Sequence, residues 1–183
     1  AASGTLGAGA SGSVRLALLR IIFKSAGLPE QYPVARFVMW LKHEKIYEQV
    51  RNSVERNGFN WDEELGNFYV AEGLHDALVQ VKPNLFSSPA SCVETLNNLY
   101  PYVQDVSSDD MLKAIHQALT KEGKLPLTLV VLDEVQQYIG EDSQRSNDIQ
   151  EAVEACCKNI GGKLLFIGTG QTAVTGTNNL KKL

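Results

Sequence analysis

The chain has 183 residues, a length that suits one domain, and a formal net charge of -4. Its composition of 44% hydrophobic and 21% charged residues permits a buried core and lacks the basic excess of a general nucleic-acid binder. No apolar stretch has the length of a membrane span, and residues 1–13 lack the charged start and apolar centre of a signal peptide. We therefore predict a cytoplasmic protein.

The chain opens on glycines and other small residues, and we predict that residues 1–13 are flexible. Placing Gly7 and Gly12 on the phosphate-loop spacing G-x-x-x-x-G-K-S/T puts Ser13 at the lysine and Val14 at the hydroxyl position. Serine brings no charge to a triphosphate, and valine offers no oxygen to Mg²⁺. No apolar strand precedes the glycines either, so we predict no working phosphate loop in this segment.

Apolar residues at helical spacing predict a series of helices over residues 14–124. Ser13 can cap the first helix, and Pro33 suits the first turn of the second, which has a break near His43. Asn60 followed by Glu63 resembles a capping box. Two further helix starts are predicted at Ser88 and Ser108.

Two apolar runs mark strands in the last third of the chain. Residues 127–132 lead into Asp133 and Glu134, and residues 163–168 lead into Thr169 and Gln171. The order strand, helix, strand predicts a crossover with parallel strands, hence an α/β fold. One apolar stripe predicts that the intervening helix packs on the sheet; it consists of Ile149, Ala152, Val153, Cys156 and Ile160.

Carboxylates at the end of a buried parallel strand have a chemical use in nucleotide triphosphatases of the P-loop class. We predict that Asp133 holds Mg²⁺ through water and that Glu134 orients or deprotonates the attacking water. Thr169 or Gln171, after the neighbouring strand, would sense the γ-phosphate. The alternative is structural, because carboxylates are also favoured where a buried strand runs into the first turn of a helix.

The stretch from Leu129 to Gly170 resembles a known family. Its residues 133–140, Asp-Glu-Val-Gln-Gln-Tyr-Ile-Gly, are similar to the D-E-V-x-Q-F/Y-I-G signature of the large P-loop ATPase of BREX phage-resistance systems, called BrxC or PglY. More loosely, four short stretches resemble the helical region ahead of the family's Walker B strand; they are residues 45–48, 57–58, 61–64 and 67–69.

The resemblance implies a partial P-loop NTPase sheet of the AAA+-like kind behind a mostly helical N-terminal two-thirds. Residues 14–124 would form the helical region, and residues 125–183 would hold the Walker B strand, crossover helix and sensor strand. ATP and Mg²⁺ would be used by the full-length ATPase. The family's Walker A loop is missing from this chain, so we predict an internal fragment that does not hydrolyse ATP alone and holds no cofactor tightly.

Two functions from different classes remain open. In the first, the chain is the Walker B and sensor part of a phage-defence ATPase; its partners would be the rest of its own ATPase chain and other subunits of the complex. DNA is then open as a target of the full system and is not predicted for this chain. In the second, the chain is a non-hydrolysing helical interaction module attached to a nucleotide-binding fold.

Several other residues are predicted to be structural. The three histidines, His43, His75 and His116, lack metal-ligand spacing and are predicted to lie on the surface. The aromatic residues of the helical region are predicted to pack in its core rather than form a base-stacking platform; they are Trp40, Tyr47, Trp61, Phe68 and Tyr69.

Arg145 has two interpretations: an arginine finger acting in trans on a neighbour's nucleotide, or a solvated residue at a helix start. The three cysteines, Cys92, Cys156 and Cys157, are predicted to be buried free thiols.

Overall fold

The structure is a computed structural model that describes residues 2–5, 13–140 and 142–170. The chain divides into two compact units, one formed by Ala1–Glu30 with Gln104–Leu183 and the other by Gln31–Val103. The described residues are mixed α/β and mostly helical, which confirms the predicted class. The P-loop, AAA+-like assignment and the boundaries at residues 13 and 124 stay predictions.

The described residues form helices that separate three strands along the chain. They are β1 (Ala2–Thr5), α1 (Val14–Ser25), α2 (Tyr32–His43), α3 (Tyr47–Arg56), α4 (Trp61–Gly66), α5 (Glu72–Val81), α6 (Pro89–Leu99), α7 (Ser108–Leu119), β2 (Thr128–Asp133), α8 (Val135–Ile139), α9 (Ser143–Asn159) and β3 (Leu164–Gly168). No helix of the described ranges combines the length and apolar character needed to cross a bilayer.

The first unit is built on a parallel sheet with strand order β1-β2-β3. The two predicted strands, β2 and β3, are confirmed as parallel neighbours, with Thr128 beside Leu164. No apolar strand was predicted ahead of the glycines; Ala2–Thr5, which is not apolar and includes Gly4, nevertheless pairs along β2. Its sequence, Ala-Ser-Gly-Thr, has little intrinsic strand preference, so pairing with β2 decides its conformation.

Helix α1 packs closely on β1 because Gly4 has no side chain. A Cβ atom at Gly4 would lie 2.9 Å from Cγ1 of Ile21. The helix begins as predicted, since the Ser13 hydroxyl accepts a hydrogen bond from the Leu16 amide at 3.2 Å. Helix α9 packs on β3, and the sheet residues facing these helices are buried; they include Val130, Leu132 and Leu164.

The crossover from β2 to β3 contains two helices, where one was expected. Gly140 ends α8 at a positive φ of 52°, and the Asp142 carboxylate then caps α9 by accepting from the Gln144 amide at 2.9 Å. Four residues of the predicted stripe are buried: Ile149, Ala152, Cys156 and Ile160. Ser146, which was not part of the predicted stripe, is also buried. Val153 is only half-buried, so its assignment to the buried face was wrong.

The second unit, residues 31–103, contains helices α2 to α6. Pro33 lies in the first turn of α2, α2 ends at His43, and Asn60 caps α4, as predicted. Ser88 caps α6 through a reciprocal pair of bonds with Ser91. The aromatic residues form the predicted core, with Phe37 in ring contact with Trp40, Phe68 and Tyr100, and with Tyr47 against Trp61.

The predicted burial of one histidine and one cysteine needs correction. His75 is buried, not exposed, because it lies on the packed face of α5, where its Nε2 is 3.2 Å from the Phe68 carbonyl. That contact gives Nε2 a polar partner in a buried site. Cys157 is exposed, whereas Cys92 and Cys156 are buried as predicted. Burial raises the pKa of Cys92 to about 11 and that of Cys156 to about 12.

Candidate functional site at the carboxyl edge of the sheet

The three parallel strands end at the same edge of the sheet, and their last residues lie side by side. Thr5 of β1 is in register with Asp133 of β2, and Leu132 is in register with Gly168 of β3. Thr169, directly after β3, therefore lies on the other side of Asp133. Two of the residues predicted for nucleotide chemistry, 133 and 169, are brought together although 36 positions separate them.

Side-chain contacts connect these residues directly. The Thr169 hydroxyl donates a short hydrogen bond to Oδ1 of Asp133. The same oxygen accepts from the Glu134 backbone amide at 3.0 Å. Oδ1 is therefore fixed by two donors while the Asp133 side chain remains exposed to water. A carboxylate held in this way is oriented in advance for a ligand at the edge.

The backbone holds Thr169 across the turn after β2. Its amide donates to the Leu132 carbonyl at 2.9 Å, and its carbonyl accepts from the Val135 amide at 3.1 Å. These two bonds lie on either side of Asp133 and Glu134. A shift of the segment after β3 would therefore be transmitted to both carboxylate residues.

Glu134 adopts the left-handed conformation, with φ 55° and ψ 37°. It is the N-cap residue of α8, and its carbonyl accepts a hydrogen bond from the Gln137 amide at 3.0 Å. A left-handed residue turns the chain sharply, so α8 starts directly after the strand. Glu134 is half-buried at this turn. Its side chain makes no capping hydrogen bond to α8, and the structural role predicted for it beside a helix start stays a prediction.

One residue at this edge was missed by sequence analysis. A Cβ atom at Gly170 would lie 2.6 Å from Cδ of Gln136, so the glycine leaves room for that side-chain amide. A glycine two residues after a strand was the available signal. Gln171, predicted as an alternative to Thr169, lies outside the described residues.

The glycine-rich segment is preceded by β1 and followed by α1, and a phosphate-loop motif is likewise preceded by a strand and followed by a helix. Residues 6–12 lie outside the described residues, but the end of β1 at Thr5 suggests a different alignment of their sequence. Starting the motif at Gly4 places the second glycine at Gly9, Ala10 at the lysine and Ser11 at the hydroxyl position. The alignment on Gly7 missed this because β1 was not foreseen.

The donor atoms at this edge suit a hard cation. Asp133, Glu134 and Thr169 offer only oxygen, which is what Mg²⁺ binds, largely through retained water. Within the described ranges, no group of three or more His, Cys, Asp or Glu residues is placed to hold a metal ion. The fit to a triphosphate is poorer, because Ala10 cannot supply the positive charge of the motif lysine.

Arg145 is engaged inside its own unit. Its Nη1 donates to the Tyr138 carbonyl at 2.8 Å, and its guanidinium lies 5.3 Å from the centre of the Tyr138 ring. Its Nε is 3.6 Å from Oδ2 of Asp142. These contacts join α8 to the start of α9, which favours the structural interpretation of Arg145 over the arginine finger.

No protein-family model matches the chain, and no solved structure gives a significant match.

Proposed function

We propose that this chain contains the nucleotide-handling edge of a P-loop ATPase, and that this ATPase is a large enzyme of a BREX-like bacterial phage-defence system. The observation that carries the proposal is the pairing of Asp133 with Thr169 at the carboxyl edge of a parallel sheet. Open parallel sheets bind ligands at that edge. The resemblance of residues 129–170 to the BREX ATPase family supports the choice of reaction and system.

Each residue has a proposed role. Asp133 would hold Mg²⁺ through water, and bound Mg²⁺ would neutralise charge on the phosphates. Glu134 accepts a proton from, or orients, the attacking water. Thr169 positions Asp133 by its hydroxyl bond, and its two backbone bonds connect the end of β3 to the carboxylates. Gln171 is retained as a second candidate for sensing the γ-phosphate.

The chain alone is expected to bind nucleotide weakly. The Ala10 methyl group provides neither charge nor a hydrogen bond, whereas Asp133 and Glu134 repel a polyanion. We therefore propose that hydrolysis belongs to the full-length cytoplasmic enzyme in complex with its other subunits, and that residues 1–183 do not hydrolyse ATP by themselves.

The direct test restores the missing charge. In calorimetric titration with Mg-ATP, the unchanged chain should bind with millimolar or weaker Kd, and Ala10→Lys should tighten binding about tenfold or more, the scale of a hydrogen bond to a charged group. Ala8→Lys is the matched control, since it adds the same charge to the same segment two positions out of register. Equal binding by both lysine variants would refute the phosphate-loop alignment.

A second test separates metal positioning from catalysis in the full-length protein carrying Ala10→Lys. Glu134→Gln should preserve Mg-ATP binding and slow single-turnover hydrolysis about 10²-fold, because the amide removes only the basic charge. Asp133→Ala should weaken Mg-ATP binding as well. Unaltered hydrolysis by Glu134→Gln would remove Glu134 from the catalytic machinery.

The second candidate is a non-hydrolysing interaction module, and the alanine at position 10 is the observation that favours it. In that case the helical unit of residues 31–103 would contact a partner protein, and Glu134 would be structural. One measurement distinguishes the two candidate functions. A gain of Mg-ATP binding in Ala10→Lys supports the ATPase, and its absence supports the module.

A further inference from the structure

A polar groove lies between α3 and α5 in the second unit, and we call it the α3–α5 groove. Its volume of about 870 Å³ lies within the roughly 300–1,000 Å³ of most ligand sites. Six of the seven described residues that line it are polar: Gln49, Asn52, Ser53, Glu55, Arg56 and Gln80. The groove therefore has both the room for a ligand and the polar groups to bind one.

One hydrogen bond joins the two helices inside the groove. The hydroxyl of Ser53, a residue that is only 3% exposed, donates to Oε1 of Gln80 at 2.8 Å. This bond holds the Gln80 carboxamide in place and leaves its amide nitrogen to donate. Within the described part of the chain, the exposed side chains of Gln49 and Asn52 make no hydrogen bond. Three carboxamide groups are therefore available to a ligand.

The groove also has one uncompensated positive charge. The carboxylate of Glu55 is paired with Arg51, whose Nε lies 2.8 Å from its Oε1. Arg56 donates from Nε to the Asn52 carbonyl at 3.1 Å, and no acidic side chain of the described ranges lies within ion-pair distance of it. The two terminal nitrogens of Arg56 are thus left for a carboxylate, which a guanidinium binds through two parallel hydrogen bonds.

The composition of the groove disfavours a nucleic acid. Among its described lining residues none is aromatic, so the groove offers no ring on which a base could stack. The second unit as a whole has nine acidic and six basic residues, a balance that repels a polyanion. A ligand with a polar backbone and few charges suits the groove better.

The main chain of a peptide matches these groups. A carboxamide has an acceptor oxygen beside a donor nitrogen, as a peptide group has, so the two can bond to each other in both directions. Gln49, Asn52 and Arg56 lie three and four positions apart on α3, hence on one side of the helix. They span about 10 Å at about 1.5 Å per residue, which is the length of about three residues of extended chain.

We propose that the α3–α5 groove binds an extended segment of a partner protein that contains an acidic residue. The three carboxamides bond to the main chain of the segment, and Arg56 binds its carboxylate. Main-chain bonds supply affinity for any extended sequence, and the guanidinium selects the acidic ones. The inference does not depend on the proposed ATPase function, because every lining residue belongs to the second unit.

The test is a nuclear magnetic resonance titration of the 183-residue chain, labelled with nitrogen-15, with a peptide blocked at both ends. Alanine with one central glutamate is a sufficient probe, since the proposed contacts are to the main chain and one carboxylate. The side-chain amide signals of Gln49, Asn52 and Gln80 should shift with a Kd of about 1 mM, the scale of a few net hydrogen bonds. The same peptide with lysine in place of glutamate should bind at least about tenfold more weakly.

Two variants test the assignment of the contacts. Arg56→Gln should weaken binding of the glutamate peptide at least about fivefold, whereas Arg36→Gln, which removes the same charge from an exposed position outside the lining, should not. Gln49→Ala should also weaken binding, and it keeps the test decisive should Arg56→Gln disturb α3, because the Gln49 side chain makes no bond within the described chain.

Three results would overturn the proposal. One is the absence of shifts at the three amides up to about 10 mM peptide, well above the expected Kd. Another is equal binding of the glutamate and lysine peptides, or binding that neither Arg56→Gln nor Gln49→Ala weakens. The third is a short DNA duplex that shifts the same amides when the peptide does not, which would make the groove a nucleic-acid site instead.

Discussion

Replacing Ile149 with aspartate tests how α9 packs on the sheet. Ile149 is only 4% exposed, so the substitution removes about 2 kcal/mol of apolar burial and adds about 2–4 kcal/mol for a buried polar group without a designed partner. The sum, about 4–6 kcal/mol, is a large part of the roughly 5–15 kcal/mol typical of a domain. Ile149→Asp should therefore unfold the chain or lower its melting temperature steeply.

Two further variants on the same helix calibrate the result. Val153→Asp should cost less than half as much, because Val153 is half-buried and its carboxylate can reach water. Asn147→Asp, at an exposed position, should change stability by less than about 0.5 kcal/mol. Urea titration followed by circular dichroism measures all three. Equal stability of Ile149→Asp and Asn147→Asp would show that the buried face of α9 has been misidentified.

Three smaller predictions follow from local geometry. Gly4→Ala should destabilise the chain by about 1–3 kcal/mol in urea titration, because the added Cβ atom would meet Ile21. Gly66→Ala is the control, because the space around Gly66 is open, and it should not destabilise the chain. Equal effects of the two substitutions would contradict the close approach of α1 to β1. Ser13→Ala should cost about 1 kcal/mol by removing the cap of α1, and a change under about 0.3 kcal/mol would argue against that cap. Of the three thiols, only Cys157 should react quickly with a maleimide in the native state, with mass spectrometry as the readout; rapid labelling of a buried thiol would contradict the packing described.

The parts of the fold that sequence analysis predicted are those with a local cause. Ser13, Asn60 and Ser88 each begin a helix by a side-chain bond to an amide two or three residues away. The apolar run of β2 is long enough to indicate a buried strand by itself. The placement of Asp133 and Thr169 at the ends of neighbouring strands also followed from a simple rule, that parallel strands end at the same edge of a sheet.

The parts that were missed depend on residues distant in sequence. β1 contains no large apolar residue, and it becomes a strand only because β2 lies beside it. His75 lies on the buried face of α5 with its Nε2 against the Phe68 carbonyl, a contact that residue spacing cannot show. The alignment of the glycine-rich segment depended on where β1 ends, so this error followed from the first one.

The left-handed turn at Glu134 has a consequence for stability. A residue with a Cβ atom in that conformation costs the native state about 1–2 kcal/mol, and glycine removes most of that cost. Glu134→Gly is therefore expected to give a more stable chain that has lost its second carboxylate. Selection for thermal resistance alone would favour that replacement. At position 134, a more stable backbone is therefore incompatible with the carboxylate that the chemistry proposed for this edge requires.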